Sequence, residues 1–175
     1  MNLEEKIISE ISGNFIIEAY QRGYRWGRDE VERLLEDINE SPDGQKYSLQ
    51  PVVVKNVNGV YELIDGQQRL TTLYLIMKYL NAYVDINYSI EYTTRKSVNG
   101  HKGSKELLET IDTIDLDASS SNIDELFIKK AYGWVKAWFK GEKSKMMNFA
   151  NKLQKYVTIH YCPLKIFSIS NNYKL

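Results

Sequence analysis

The sequence holds a single cysteine and only two histidines among 175 residues. One cysteine cannot close an internal disulfide, and Cys162 with the scattered His101 and His160 cannot supply a Cys/His zinc cluster. These absences exclude a disulfide scaffold and a zinc-finger module, and they suit a reducing compartment.

The chain also lacks an excess of either charge, since 23 Lys and Arg stand against 23 Asp and Glu. Proteins that bind nucleic acid non-specifically usually carry a basic excess, so the global charge gives no support for DNA binding and leaves room only for a local basic site. No apolar stretch approaches the roughly 20 residues that span a bilayer, and the N-terminus has neither the basic start nor the apolar run of a signal peptide. We therefore expect a cytoplasmic protein with no membrane partner.

What is present suits a folded domain, because 43% of the residues are hydrophobic and can form a sizeable core. The length fits one domain, or one small domain with a helical extension. The patterning is β-rich and mixed in the first half and mostly helical in the second, which predicts an α+β fold. A soft boundary is expected near residues 85 to 103.

The first half of the chain alternates short strands and helices. Asn2 caps a predicted helix with Leu3, Ile7 and Ile11 on one face, and residues 12–14 end it. Asn58-Gly59 is the strongest hairpin signal, because both central positions of a type I′ turn need positive φ. The remaining predictions are strands over 15–17, 47–57, 60–64 and 88–93, and helices over 29–39 and from Gln67 onward.

The second half is predicted to be mainly helical. Asn122 opens a helix with Glu125 three residues later, which is the pattern of a capping box. The other predictions are a polar loop over 96–103, a helix over 104–111, a flexible connection over 112–121, a helix over 144–154 and a strand over 156–161.

The segment Asp-Gly-Gln-Gln-Arg-Leu-Thr-Thr at residues 65–72 lies where a predicted strand meets a predicted helix. Unpaired amides and the positive end of the helix dipole make such a junction an anion site. Gly66 permits a sharp turn and a close approach, Arg69 offers a planar fork for phosphate oxygens, and Asp65 suits Mg²⁺ or a water molecule. The alternative is a helix capped by Asp65 with surface side chains, and composition alone favours it.

A second cluster, over residues 20–27, interleaves arginines with aromatic residues. This pattern suits contact with phosphates together with stacking on a base. In the alternative, Tyr24 and Trp26 fill the core while Arg22 and Arg25 pair with acids such as Glu30 or Asp37. The sequence leaves both interpretations open.

The two clusters together, in this order and spacing, resemble the N-terminal domain of the GmrSD type IV restriction endonucleases. The first carries Phe15-x-Ile17-x-x-Tyr20-Gln21-Arg22-x-Tyr24-x-Trp26, and the second follows some forty residues later as Asp65-Gly66-Gln67-Gln68-Arg69-Leu70-Thr71-Thr72-Leu73. Weaker similarity continues to about residue 161. The resemblance implies a ParB/sulfiredoxin-like mixed-sheet core over residues 1–95, which binds nucleotide, and a helical extension over 96–175 that ends before any nuclease domain.

The resemblance also implies the site residues. It assigns catalysis to Asp65, Gln68 and Arg69. It assigns nucleotide contact to Tyr20, Gln21, Arg22, Gly66, Gln67, Thr71 and Thr72.

The expected function is that of a module of a phage-defence system that restricts modified DNA. The module binds a nucleoside triphosphate and hydrolyses it, with DNA and a nuclease domain or subunit in trans as further partners. Magnesium is expected from the chemistry of triphosphates and not from a cluster of metal ligands. Two alternatives remain: a non-catalytic module that senses nucleotide or binds DNA and regulates a partner nuclease, and a remnant without activity.

Overall fold

The computed structural model describes residues 4–93 and 103–163, and it arranges six strands and five α-helices over them. The strands are β1 (Glu4–Ile7), β2 (Ser12–Ile17), β3 (Tyr47–Val57), β4 (Val60–Asp65), β5 (Asn87–Tyr92) and β6 (Val157–Pro163). The helices are α1 (Arg28–Glu40), α2 (Gln67–Tyr79), α3 (Ser104–Thr110), α4 (Ile123–Phe139) and α5 (Lys143–Lys155). The predicted cap at Asn2, the loop over 96–102 and the chain after residue 163 lie outside the described residues.

All six strands join in one mixed sheet, in the order β1-β6-β3-β4-β2-β5. The pairs β6–β3, β4–β2 and β2–β5 are parallel, whereas β1–β6 and β3–β4 are antiparallel. A mixed sheet with five helices confirms the predicted α+β class. The ParB/sulfiredoxin-like character of its core stays a prediction.

The β3–β4 hairpin confirms the turn expected at Asn58-Gly59. Both residues have positive φ, 54° and 87°, as a type I′ turn requires. The amide of Gly59 donates to Asn56 Oδ1 at 3.0 Å, and Val57 lies opposite Val60. This turn sets the register of the two strands, and β4 then leads directly into α2.

Helix α2 lies in the centre of the core. The helix predicted from Gln67 onward is confirmed, and the apolar residues spaced three and four apart along it are all buried: Leu70, Leu73, Met77, Leu80 and Val84. The other residues between Leu70 and Met77 are buried as well, so this helix has almost no solvent face after its first turn. Only the two ends of α2 are partly exposed, at Gln67 and Arg69 and at Lys78 and Tyr79.

The predicted N-terminal helix is wrong, because Glu4–Ile7 forms strand β1 and a short 3₁₀ turn follows. β1 pairs antiparallel with β6, with Glu4 opposite Tyr161. The four-residue spacing of apolar side chains fits a helix, but pairing with a strand from the far end of the described chain overrides that local preference.

The predicted break over residues 12–14 is also wrong, because these residues begin β2. Gly13 adopts a φ of +110°, and a Cβ atom there would lie 2.8 Å from the ring of Tyr61. The aromatic ring covers the glycine, so a residue that usually interrupts a strand is held within one.

The second half of the chain shares one hydrophobic cluster with the first. β6 lies between β1 and β3, and α4 packs against α1 and α2. The cap of α4 is confirmed, because Asn122 Oδ1 accepts from the Glu125 amide at 3.0 Å. The expected boundary between residues 95 and 96 falls outside the described residues and stays a prediction. None of the described helices is long and apolar enough to cross a membrane.

The junction between β4 and α2 is held by Gly66. Its φ of +90° lies in the left-handed region, and a Cβ atom there would come within 2.6 Å of Val52 Cγ1 on β3. Conformation and close approach therefore both require glycine at the point where the chain turns into the helix.

We predict that Gly66→Ala lowers the free energy of unfolding by about 2–4 kcal/mol, since it combines left-handed strain with a clash against β3. Gly44→Ala is the matched control, because Gly44 also has positive φ, +76°, but a Cβ atom there would meet nothing within 4 Å. The control should lose about 1 kcal/mol from backbone strain alone. Urea unfolding measures both losses, and equal losses would show that Val52 does not constrain the junction.

Candidate functional site

The site lies at the C-terminal ends of β2 and β4, two inner strands of the sheet. These two strands are parallel neighbours, so the loop after β2 meets the first turn of α2 there. The first helical bond of α2 runs from the Leu70 amide to the Gly66 carbonyl at 2.9 Å, which leaves the amides of residues 67–69 without helical acceptors. No side chain among the described residues caps them. Asp65 is exposed and is not the cap, so the structure does not support the alternative of a helix capped by this residue.

Arg69 reaches sideways from α2 to the start of β3. Its Nη1 atom donates to the carbonyls of Gln50 and Pro51 at 3.1 and 3.3 Å, and Nη2 donates to Gln50 Oε1. Burial lowers the pKa of the guanidinium, and the carboxylate of Asp65 acts in the opposite direction. The side chain is therefore held in a fixed position beside an acid, and as an arginine it stays charged at neutral pH.

A cavity of about 270 Å³ opens beside Arg69, between α1 and β3. Its walls combine two aromatic rings with two arginines and two acids. The lining residues of these kinds are Trp26, Tyr47, Arg33, Arg69, Glu30 and Asp37. Of these six, the sequence assigned only Arg69 to the site. It left Trp26 open between stacking and the core, and it named Glu30 and Asp37 only as possible ion-pair partners. Arg33 and Tyr47 were missed, because no local pattern links the exposed side of α1 to the first residue of β3.

Gln68 is buried and holds the arginine-aromatic loop. Its Oε1 atom accepts from the amides of Arg25 and Trp26 at 2.7 and 3.2 Å, and its Nε2 atom donates to the Gly23 carbonyl at 2.9 Å. These three bonds fix three residues of the loop, Gly23, Arg25 and Trp26, against the first turn of α2. The structure thus places Gln68 as a positioning residue, and its predicted catalytic role stays untested.

In the sheet, β2 and β3 lie on opposite sides of β4. The segment that follows β2 carries Tyr20, Gln21 and Arg22, and it therefore lies on the side of β4 away from β3, the strand that lines the cavity. The hydroxyl of Tyr20 donates to Glu62 at 3.0 Å, and Gln21 Nε2 donates to the Leu63 carbonyl. Tyr20 and Arg22 are exposed. The loop therefore begins beside β4 and passes the start of α2. Near its end, Trp26 lines the cavity together with Arg69, whereas these three residues do not line it.

Thr71 and Thr72 are fully buried and face the core. Thr71 Oγ1 lies 2.9 Å from the hydroxyl of Tyr92, and Thr72 Oγ1 lies 2.8 Å from the hydroxyl of Tyr24. Burial raises the pKa of both tyrosines, so both hydroxyls stay protonated. The structure does not bring the threonines to the surface site, and their assignment to nucleotide contact remains a prediction.

Arg25 links the loop to the second half of the chain. Its Nη1 atom forms an ion pair with Asp124, and its guanidinium lies 5.5 Å from the centre of the Phe127 ring. The sequence suggested acids such as Glu30 or Asp37 as partners of Arg25, but the structure pairs Arg25 with Asp124 instead. Gly23 is needed here as well, because a Cβ atom would fall on the Asp124 carboxylate.

The described residues contain no group of three or more His, Cys, Asp or Glu side chains that could hold a metal by themselves. A magnesium ion that arrives with a nucleotide does not need such a group, since Mg²⁺ is commonly held by one or two carboxylates together with the substrate phosphates. The exposed carboxylate of Asp65, beside the uncapped helix start, fits that requirement.

A family model, GmrSD restriction endonuclease, N-terminal domain, matches residues 4–174. The chain belongs to this family. The match extends beyond residue 161, where the resemblance was expected to end, so the family pattern includes the C-terminal segment as well. A comparison with curated proteins found no match. The family assignment makes the protein a module of a restriction system, with DNA and a nuclease as its context.

We predict that Gln68→Ala lowers the free energy of unfolding by about 2 kcal/mol, because it leaves loop amides and a carbonyl without partners. It should also increase proteolysis of the loop over residues 20–27. Gln67→Ala is the matched control, since the Gln67 side chain forms no hydrogen bond within residues 4–93 and 103–163. The control should change stability by less than about 0.5 kcal/mol. Indistinguishable denaturation curves for the two variants would contradict the role assigned to Gln68.

Proposed function

We propose that this GmrSD-family module binds a nucleoside triphosphate at the start of α2 and hydrolyses it. One observation carries the proposal: the uncapped amides of residues 67–69, the fixed guanidinium of Arg69 and the exposed carboxylate of Asp65 lie at one strand-to-helix junction. Backbone amides and an arginine favour phosphate, and a nearby carboxylate suits a metal-bound triphosphate.

The phosphates are proposed to lie against the first turn of α2, which begins directly after the left-handed turn at Gly66. The nucleoside then extends into the cavity between α1 and β3. Its volume of about 270 Å³ and its aromatic walls, Trp26 and Tyr47, suit a base that packs against rings. Glu30 and Asp37 supply acceptors for ribose hydroxyls or for amino groups on the base.

Phosphoryl transfer requires positioning and stabilisation of charge more than covalent chemistry by the protein. Arg69 stabilises negative charge on the phosphate oxygens, and the helix amides hold the phosphates in place. Asp65 orients the attacking water or holds the magnesium ion, which neutralises phosphate charge when it is bound. Gln68 acts indirectly, because it fixes the loop that carries Trp26 to the cavity.

A second candidate function is nucleotide sensing without turnover, and it is favoured by the contacts between the site and α4. Gln68 holds the amide of Arg25, and Arg25 pairs with Asp124 in the first turn of α4. A ligand that shifts the start of α2 would therefore disturb a contact with the second half of the chain. In this alternative the module signals to a nuclease domain or subunit in trans, and the state of the nucleotide controls restriction of modified DNA.

We predict that the purified chain releases phosphate from at least one nucleoside triphosphate in the presence of Mg²⁺, and that Asp65→Ala and Arg69→Ala each reduce this release by about 100-fold or more. Arg69→Lys should also be deficient, because an ammonium cannot reproduce the planar fork of the guanidinium. Phosphate release measured with each of the four triphosphates checks this expectation.

Asp85→Ala is the matched control, since Asp85 is an exposed acid in the connection between α2 and β5, away from the site. Its activity should equal that of the wild type. Nucleotide binding without phosphate release would select the sensing alternative. An absence of both binding and release would overturn the nucleotide proposal for this chain.

A further inference from the structure

The chain has zero net charge, but acidic and basic residues are concentrated in different segments of its second half. Between residues 126 and 163 there are eight lysines and a single carboxylate, Glu142. Between residues 103 and 125 the balance is reversed, with seven carboxylates and one lysine, Lys105. The C-terminal part of α4 and all of α5 are therefore basic, while the segment leading into α4 is acidic.

Some of these lysines are used by the fold. Lys129 pairs with Glu125, Lys152 donates to the carbonyls of Asn39 and Ser41, and Lys145 lies 3.4 Å from the centre of the Trp138 ring. The other five are exposed and form no ion pair within the part of the chain that the structure describes. These five are Lys130, Lys136, Lys140, Lys143 and Lys155.

Four of the five lie between the middle of α4 and the start of α5. With 3.6 residues per turn, Lys136 and Lys140 share a face of the helix, and Lys130 lies about 120° around the axis from Lys136. Lys130, Lys136 and Lys140 cover ten residues of helix, or about 15 Å along its axis. Lys140 ends α4 with a left-handed φ of 52°, and Lys143 begins α5 three residues later. We call these four residues the lysine ridge.

The lysine ridge is not explained by the stability of the helices. Lys136 and Lys140 suit the negative C-terminal end of α4, but Lys143 and Lys145 occupy the first turn of α5, which the helix dipole already makes positive. Two acids lie near the ridge: Glu142 precedes α5, and Asp117 lines a cavity together with Lys130 and Lys136. At the α4–α5 turn the lysines outnumber the one acid, Glu142, so an external polyanion would relieve the repulsion between them.

We propose that the lysine ridge is a contact surface for the phosphate backbone of DNA, separate from the nucleotide site at α2. A cluster of exposed ammonium groups without ion pairs suits the dense negative charge of a duplex and carries no sequence preference. The acidic segment over residues 103–125 repels the same polyanion, and so directs it toward the α4–α5 turn. The family context of restriction supplies duplex DNA as the relevant polyanion.

Fluorescence anisotropy with a labelled duplex of about 20 base pairs tests the proposal on the full chain. Wild type should bind, and its affinity should fall by about 100-fold between about 50 and 200 mM salt, as expected for four phosphate contacts. The quadruple variant Lys130→Gln, Lys136→Gln, Lys140→Gln and Lys143→Gln should bind at least about 10-fold more weakly. The slope of log affinity against log salt should become shallower by about 3.6, which is about 0.9 for each of the four contacts.

The charge-matched control replaces four cations elsewhere: Arg28→Gln, Lys46→Gln, Lys55→Gln and Lys105→Gln. This variant should keep wild-type affinity within about twofold, because its net charge changes by the same amount while the lysine ridge is unchanged.

Three results would overturn the proposal. The first is equal weakening of DNA binding in both variants, and the second is no binding by wild type at low salt. The third is binding of polyglutamate as tight as that of duplex DNA, which would indicate an acidic protein as the partner instead of DNA. Circular dichroism confirms that each variant is folded, and phosphate release by the ridge variant should match wild type, so the outcome is independent of the nucleotide proposal.

Discussion

The backbone of Gly66 passes so close to Val52 that no side chain fits between α2 and β3, and the rest of the site depends on this contact. It brings the first turn of a buried helix to the edge of the sheet, with Asp65 on one side and Arg69 on the other. Because α2 is buried from Leu70 to Met77, only its two ends can offer polar groups to a ligand, and the first turn is the end that lies beside Asp65 and Arg69. The position of the candidate site therefore follows from the way the central helix is packed.

A second constraint comes from the side-chain amide of Gln68, which both accepts and donates hydrogen bonds. Gln68 uses both ends of its side chain to hold the loop from Gly23 to Trp26, and this brings an aromatic ring to the cavity beside Arg69. The same loop carries Arg25 to Asp124 at the start of α4. The two halves of the chain thus meet at the candidate site, and this contact links the proposed nucleotide site at α2 to helix α4, which carries part of the lysine ridge.

Local chemistry was enough to predict part of this fold. The Asn58-Gly59 turn, the Asn122 cap and the strand-to-helix junction at Gly66 depend on neighbouring residues, and all three were predicted correctly. The helix expected at the N-terminus was wrong because β1 depends on pairing with β6, which lies at the far end of the described chain. In the candidate site, the motif was enough to select Asp65 and Arg69 as candidate residues. The roles of Gln68 and Asp124 did not follow from it, because their partners lie 42 to 99 residues away in the sequence.

The central claim is that the amides at the start of α2 bind the phosphates of a nucleotide. Amide chemical-shift mapping by NMR, during titration with a non-hydrolysable triphosphate and Mg²⁺, tests it directly. The account predicts that the largest shifts fall on residues 66–70, followed by those of Trp26 and the first residues of β3. Shifts confined to other parts of the molecule, or none at saturating nucleotide, would contradict it.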